Sequence, residues 1–306
     1  MNTKILITKP SAGYSLIDSG QGDKLERFGV YTLARPDPQA LWLKSAPNET
    51  WQKAQGVFAR ETIKGDKAAV GSWKMKAGVP ERWQISIGGL QMWVKPSTFK
   101  HVGIFPEQVG NWDWIRDTIN NRKAPAGQSG QTTEKISVLN LFGYTGGATL
   151  AAASAGAEVC HVDGSKTAIS WAKDNAEISG LGGKPIRWIL DDAVVFVKRE
   201  VKRGKKYDGI IMDPPAFGRG PEGEVWKIEE HFLHLIDLCK QILTEKPLFF
   251  LINGYAAGYS ALAYKNVMKD FTRNWGGEVE VGELTIEEEK TGRLLPAGIF
   301  GRWSTK

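Results

Sequence analysis

Asp213-Pro214-Pro215-Ala216-Phe217 is the stretch whose residue types come closest to doing chemistry. Two consecutive prolines have no backbone N–H to donate, so the loop is stiff and offers carbonyl acceptors beside a carboxylate. Such a set can hold an amino or ring nitrogen of a planar base, with Phe217 stacked on its face. A second set lies upstream. Phe142-Gly143-Tyr144-Thr145-Gly146-Gly147 is a glycine loop, and Asp163 follows about twenty residues later, the spacing at which an acidic side chain can accept from both hydroxyls of a ribose. Asp191 and Asp192 make a third set, a carboxylate pair able to accept from an exocyclic amino group.

Each set needs an element to deliver it. Ile136, Val138, Leu139 and Leu141 form a short apolar run that fits a buried parallel strand ending at the loop. Ala148 to Ala155 is a helix of small side chains that lets backbone come close. Glu158 to Asp163 reads as the second strand. Ser165 then caps a helix from Lys166 to Ser179, which Gly180 stops. Pro185 to Leu190 is a third strand, ending in Asp191-Asp192, and Asp192 is placed to cap a helix from Ala193 to Val201, which leaves Asp191 for a ligand. Tyr207 to Met212 is a fourth strand that brings Asp213 to the same carboxyl edge as Asp163. Further on, Glu229 to Leu243 is an amphipathic helix, Pro247 to Ile252 a fifth strand, and the segments 278–284 and 294–303 a closing hairpin.

A dinucleotide-binding loop would read G-x-G-x-x-G. Here no glycine precedes Phe142, and Phe142 and Tyr144 occupy the room a pyrophosphate needs, so a ligand without phosphates suits the loop better. The stretch Asn140-Leu141-Phe142-Gly143-Tyr144-Thr145-Gly146 resembles motif I of the class I S-adenosylmethionine-dependent methyltransferases, in the form found among rRNA methyltransferases. The segment from Asp213 to Phe217 resembles the [N/D]-P-P-[Y/F/W] motif of base methyltransferases, in the D-P-P-x-F spacing of the large-subunit rRNA relatives. Lys100-His101-Val102-Gly103-Ile104-Phe105-Pro106-Glu107-Gln108 is similar to the segment that precedes motif I in rRNA cytosine methyltransferases and folds over the cofactor. On its chemistry alone, His101 is equally a hydrogen-bonded structural residue.

The resemblance implies an α/β fold: a Rossmann-like class I methyltransferase domain with a mostly parallel seven-stranded sheet and a C-terminal antiparallel hairpin, preceded by a small, mainly β domain. It implies S-adenosylmethionine as cofactor, held by His101, Phe105, Gln108, Asn140, Phe142, Gly143, Tyr144, Thr145, Gly146, Asp163, Gly164, Ser165, Asp191, Asp192 and Asp213. Asp213, Pro214, Pro215 and Phe217 become the catalytic set, and ribosomal RNA the expected substrate. The cytosine C5 relatives place an attacking cysteine after the fifth strand. This chain has Asn253-Gly254-Tyr255-Ala256-Ala257 there, so direct methyl transfer to nitrogen or oxygen is expected instead. Three alternatives stay open: a small-molecule or protein acceptor, a non-catalytic RNA-binding module on the same fold, and an oxidoreductase that binds NADH.

The 306 residues suffice for two domains, and 42% hydrophobic with 24% charged residues fits a soluble globular chain. The expected division is a small β domain at 1–100, a cofactor-covering segment, helix and linker at 101–134, and the methyltransferase domain at 135–306. Val30 to Leu33, Ala40 to Leu43, Gln84 to Ile87 and Leu90 to Val94 read as strands of the first, with Gly88-Gly89 a hairpin turn. Asp18, Lys24, Glu26, Arg27 and Arg35 form a charged patch there, either salt bridges pinning a turn or a surface for RNA. Residues 123–134 are small, polar and proline-bearing, a linker. No apolar run approaches the roughly 20 residues that span a bilayer, and no signal-peptide core is visible. Cys160 and Cys239 give neither a disulfide framework nor a zinc set, so a cytoplasmic protein without metal is expected. The net charge of +6 leans toward an anionic partner, and the basic run Lys198 to Lys206 is either a solvated helix end or a contact for RNA phosphates.

Overall fold

The computed structural model describes residues 3–60, 71–97, 100–123, 135–255 and 258–305. In chain order the elements are β1 (Lys4–Thr8), β2 (Tyr14–Gly20), β3 (Asp23–Phe28), β4 (Tyr31–Pro36), α1 (Asn48–Gln52), β5 (Gly56–Arg60), β6 (Gly71–Met75), β7 (Trp83–Ile87) and β8 (Leu90–Val94). There follow α2 (Val109–Lys123), β9 (Ser137–Leu141), α3 (Gly147–Ser154), β10 (Glu158–Asp163), α4 (Lys166–Ile178), β11 (Ile186–Leu190), α5 (Ala193–Lys202) and β12 (Gly209–Met212). The chain ends with β13 (Phe217–Arg219), β14 (Val225–Lys227), α6 (Ile228–Gln241), β15 (Phe249–Gly254), α7 (Ala261–Thr272), β16 (Glu278–Glu287) and β17 (Leu294–Ser304). Residues 124–134 of the expected linker lie outside the described residues.

The chain divides into two compact units. One comprises Met1–Leu6, Gly110–Leu284 and Gly298–Lys306, the other Ile7–Val109 and Thr285–Ala297. The larger is built on the sheet β1-β16-β17-β15-β12-β9-β10-β11. Neighbours from β15 to β11 are parallel, and β17 runs antiparallel to β15. The expected seven strands are all there, and the sheet has an eighth, β1, added at its edge beside β16. Nothing in the residues Lys4 to Thr8 marks them as belonging to a sheet whose other strands begin more than a hundred residues later.

Parallel strands are buried on both faces and so read as continuous apolar runs. Ile115 and Ile119 of α2 and Ala152 and Ala153 of α3 pack on one face with Val138, Val159 and Phe249. Phe196 of α5, Leu235 of α6 and Met268 of α7 cover the other with Leu139, Ile210 and Phe250. Because β10 and β11 lie on one side of β9 and β12 on the other, the strand order reverses between β9 and β12. In such sheets ligands bind in the crevice beyond the carboxyl ends of the strands at this switch point.

The smaller unit holds the antiparallel pair β7–β8, turned by Gly88 and Gly89 with positive φ, and the sheet β2-β3-β4-β5-β6. Residues 40–43 are not a strand. They run beside the β2–β3 turn, accepting from Gln21 and Gly22 N–H, while Leu41 and Leu43 face solvent. Apart from Arg27, which is part-exposed beside Glu289, the charged patch is buried. Arg35 donates to both carboxylate oxygens of Glu26 (2.5 and 3.0 Å), Tyr14 donates to Glu26 (2.8 Å), and Asp18 accepts from Ser45, Ala46 and Trp51.

Candidate active site

The carboxyl edge of the larger sheet is aligned by register. Leu141 pairs with Val162 on one side and Met212 on the other, Asp163 with Leu190, and Met212 with Ile252. The loops beginning at Phe142, Gly164, Asp191, Asp213 and Tyr255 therefore leave neighbouring strands at one edge, strands being about 4.8 Å apart.

The first of these loops is held in an unusual backbone. Phe142 (φ 56°) and Tyr144 (φ 47°) both adopt the left-handed region, which bulky residues rarely enter and which persists only where the surroundings enforce it. The enforcement is visible. Gly143 N–H donates to the Val162 carbonyl (3.0 Å), Tyr144 N–H donates to Asp163 Oδ2 (2.8 Å), and Asn175 donates to the Thr145 carbonyl (2.9 Å). Gly143 is glycine because a Cβ there would stand 2.5 Å from the His161 ring, and Gly147 because a Cβ would strike the Trp112 indole.

Asp163 also accepts from Ser165 N–H through Oδ1 (2.8 Å), so its carboxylate joins the ends of two loops. Burial raises its pKa, opposed by these two N–H groups. A carboxylate offers about four acceptor sites; the two backbone bonds leave room for a diol. Asp192 caps α5, accepting from Val194 and Val195 N–H (2.8 and 3.0 Å), and Asp191 pairs with Arg199. Asn140, expected against the cofactor, is buried, and its amide donates to Thr149 Oγ1 (2.8 Å), which meets His161 Nδ1 at 2.9 Å. Burial lowers the His161 pKa to about 3, so this ring is neutral beneath the loop.

Two of the carbonyls read as bare acceptors after Asp213 are taken. Pro215 accepts from Trp226 Nε1 (2.7 Å) and Ala216 from Ile228 N–H (3.0 Å), because the loop folds on into the β13–β14 hairpin. Trp226 is buried, and its ring centroid lies 5.0 Å from that of Phe142, so one indole fixes the proline loop and touches the glycine loop. Phe217 is 55% exposed at the start of the hairpin, with the Arg219 guanidinium 6.0 Å from its centroid. Near the end of β15, Asn253 is buried and accepts from Asn111 (2.9 Å), while Tyr264 donates to the Asn253 carbonyl (3.3 Å). Burial and then the charge of Asp213 raise the Tyr264 pKa, which places that hydroxyl within the field of Asp213.

His101, Phe105 and Gln108 belong to the smaller unit, where the His101 and Phe105 centroids are 5.3 Å apart and burial lowers the His101 pKa to about 4. The sequence held no local signal for Trp226, Trp112 or Tyr264, whose roles depend on partners far away in the chain. Among the described residues no group of three or more His, Cys, Asp or Glu could hold a metal ion, and no helix is long and apolar enough to cross a membrane.

A crystal structure of a SAM-dependent methyltransferase from Agrobacterium tumefaciens matches this architecture with a TM-score of 0.90 and 40% identity, covering 99% of this chain and 94% of that one. This chain belongs to the SAM-dependent methyltransferases. Residues 111–231 match the family model described as conserved hypothetical protein 95. The ribosomal RNA large subunit methyltransferase K of Neisseria meningitidis serogroup B is 29% identical over 242 residues, 76% of this chain and 63% of that protein. The ribosomal RNA large subunit methyltransferase I of Aeromonas salmonicida is 38% identical over 196 residues, 60% of this chain and 46% of its own. The chain thus matches less than two thirds of the length of either curated relative.

Proposed function

We propose that this methyltransferase modifies a base in a structured RNA, with ribosomal RNA as the substrate class, by direct transfer to a nitrogen or oxygen. The observation that carries the reading is the register of Leu141 with Met212, which opens the glycine loop and the Asp213-Pro214-Pro215 loop into one crevice. Their coupling through Phe142, Trp226 and Pro215 supports it. The names of the curated relatives favour RNA as the acceptor.

S-adenosylmethionine, when bound, supplies a methyl group already activated on a sulfonium. Asp163 would hold the ribose hydroxyls with the acceptor capacity its two backbone bonds leave. Asp191 would accept from the adenine amino group, and the loop 142–146 would pack against the ligand. On the acceptor side Asp213 orients the nucleophilic atom and takes the proton it loses, a contribution of roughly 10²–10⁴-fold in rate, while Phe217 stacks on the base. Orientation of nucleophile and methyl supplies much of the rest. The cysteines do not serve a covalent route. Cys160 and Cys239 are buried, and burial pushes the Cys160 thiol up to about 11 and the Cys239 thiol further up still.

Nucleoside mass spectrometry of total RNA from wild type and a deletion strain tests the reading. It expects one methylated nucleoside to vanish on deletion and to return when purified protein and S-adenosylmethionine are added to the deletion-strain RNA. Methyl incorporation into dialysed metabolites or protein, with none into RNA, would overturn it.

A further inference from the structure

The sheet edge opposite the crevice carries a concentration of positive charge that methyl transfer does not use. Helices α5, α6 and α7 cover one face of the sheet and all end at the edge where the strands begin: Tyr207 bridges to Leu243, and Asp208 accepts from Leu248 N–H. Lys202, Arg203, Lys205 and Lys206 are exposed at the end of α5. Lys206 Nζ donates to the Gln241 carbonyl (2.6 Å) at the end of α6, and Lys240 Nζ lies 6.0 Å from the Trp275 ring just past α7. The three helix ends are thus joined by basic side chains.

On α7 the charges repeat every four residues, Lys265, Lys269 and Arg273, and so share one face. With Gly276, Gly277 and Glu278 they line an open groove of about 440 Å³. Cations at a helix end offset the negative end of its dipole, but that effect is confined to the last turn. Lys265 precedes the end of α7 at Thr272 by more than that. Two of the carboxylates among these cations are engaged: Glu200 is buried and bonded to Arg203 and Tyr207, and Asp270 pairs with Arg273, while Asp237 on α6 is exposed. Glu245 and Glu278 are exposed.

We infer that this belt, from Lys202 through Lys240 to the α7 groove, binds the phosphate backbone of the RNA that the crevice modifies; the inference rests on the RNA reading above. A strand of six residues at about 3.3 Å per residue separates belt from crevice by roughly 20 Å. The occupant is therefore an RNA long enough to reach both edges, and a single nucleotide that fills the crevice does not touch the belt.

Binding of purified total ribosomal RNA to the full-length protein, measured across a series of salt concentrations, tests the belt. The variant combines Lys202→Gln, Lys206→Gln, Lys265→Gln and Lys269→Gln. Every phosphate that the protein no longer neutralises lowers the slope of log affinity against log salt by about 0.7–0.9, so the slope is expected to fall by roughly 3. S-adenosylhomocysteine affinity and melting temperature should stay at wild type. A control outside the belt, Lys173→Gln on α4 with Lys53→Gln in the smaller unit, both exposed, keeps the wild-type slope. An unchanged slope in the belt variant, with RNA binding intact, overturns the belt and leaves the RNA reading standing. An equal fall in the control also overturns it, as a general charge effect. A wild type that binds no ribosomal RNA overturns both.

Discussion

Asp163 holds Tyr144 in a left-handed backbone conformation: its Oδ2 accepts the Tyr144 N–H at 2.8 Å while Oδ1 accepts that of Ser165. A left-handed bulky residue costs about 1–3 kcal/mol, and a hydrogen bond to a charged group returns about 1.5–3 kcal/mol. The two nearly cancel. Asp163→Ala should therefore release the loop as well as remove the proposed ribose acceptor. We expect S-adenosylhomocysteine affinity measured by calorimetry to fall about 10²-fold, nearly 3 kcal/mol. Asp163→Asn, which keeps one acceptor oxygen, should fall about tenfold. Equal affinities in both variants and wild type would remove Asp163 from the binding site.

Trp226 bonds the proline loop and touches the glycine loop, so its substitution tests whether the two loops serve acceptor and cofactor separately, as proposed. Trp226→Phe keeps a ring against Phe142 but deletes the bond to the Pro215 carbonyl, leaving a buried acceptor unsatisfied at a cost of about 1–3 kcal/mol. The proline loop loosens while the glycine loop stays in place. The expected kinetic result is a fall in kcat of about tenfold or more, with S-adenosylhomocysteine affinity within threefold of wild type. A loss of cofactor affinity with kcat preserved would assign Trp226 to the other side of the crevice.

How far these features can be read from sequence depends on how local their causes are. The strand from Glu158 to Asp163, the Ser165 and Asp192 caps and the Gly88-Gly89 turn are set by residues within a few positions of one another, and each lies where the pattern places it. The glycines of the first loop are visible too, but why Gly147 must be glycine depends on Trp112, thirty-five positions earlier. Long-range pairings leave no such trace. Strand β1 joins β16 across most of the chain, and the carbonyls after Asp213 look bare until Trp226 and Ile228 fold back on them.

The smaller unit contains an acid whose titration should be visible in stability. Glu107 is 5% exposed, and burial raises its pKa from 4.5 to about 7, against the opposing charges of Lys24 and Arg35. Between those two values the folded chain binds more protons than the unfolded one, so stability falls as pH rises from about 4.5 to 7 and then levels. Glu107→Gln removes that loss. By chemical denaturation the variant should be more stable than wild type at pH 8, by an amount on the order of 3 kcal/mol, and show little difference at pH 4.5. A difference of the same size at both pH values would mean that packing, not protonation, sets it.

Without an exposed thiol, methyl transfer should not depend on either cysteine. Cys160 and Cys239 are core side chains. Replacing both with alanine removes two sulfurs from the interior and should cost about 1–3 kcal/mol of stability. At a temperature below the melting transition, activity toward RNA is expected to stay within threefold of wild type, and no protein–RNA adduct should survive denaturing gel electrophoresis in either form. An adduct that appears in wild type and disappears in the double variant would restore the covalent route.

Gly254 explains why the end of β15 does not accommodate a side chain. Its φ is unexceptional, yet a Cβ there would collide with the Tyr264 hydroxyl, which is held against the Asn253 carbonyl at 3.3 Å with its ring stacked 6.0 Å from that of Phe232. Gly254→Ala should therefore displace Tyr264 and cost about 1–3 kcal/mol, the usual range for overpacking a filled core. Tyr264→Phe removes the closest atom of the collision and leaves Cζ at 2.9 Å, a gap that a small ring shift can widen. If the collision is the cause, Gly254→Ala in the Tyr264→Phe background should cost at least 1 kcal/mol less than in wild type, since touching residues couple by about 0.5–3 kcal/mol. Chemical denaturation of the four proteins measures the coupling, and additive costs would show that something other than the hydroxyl keeps residue 254 bare.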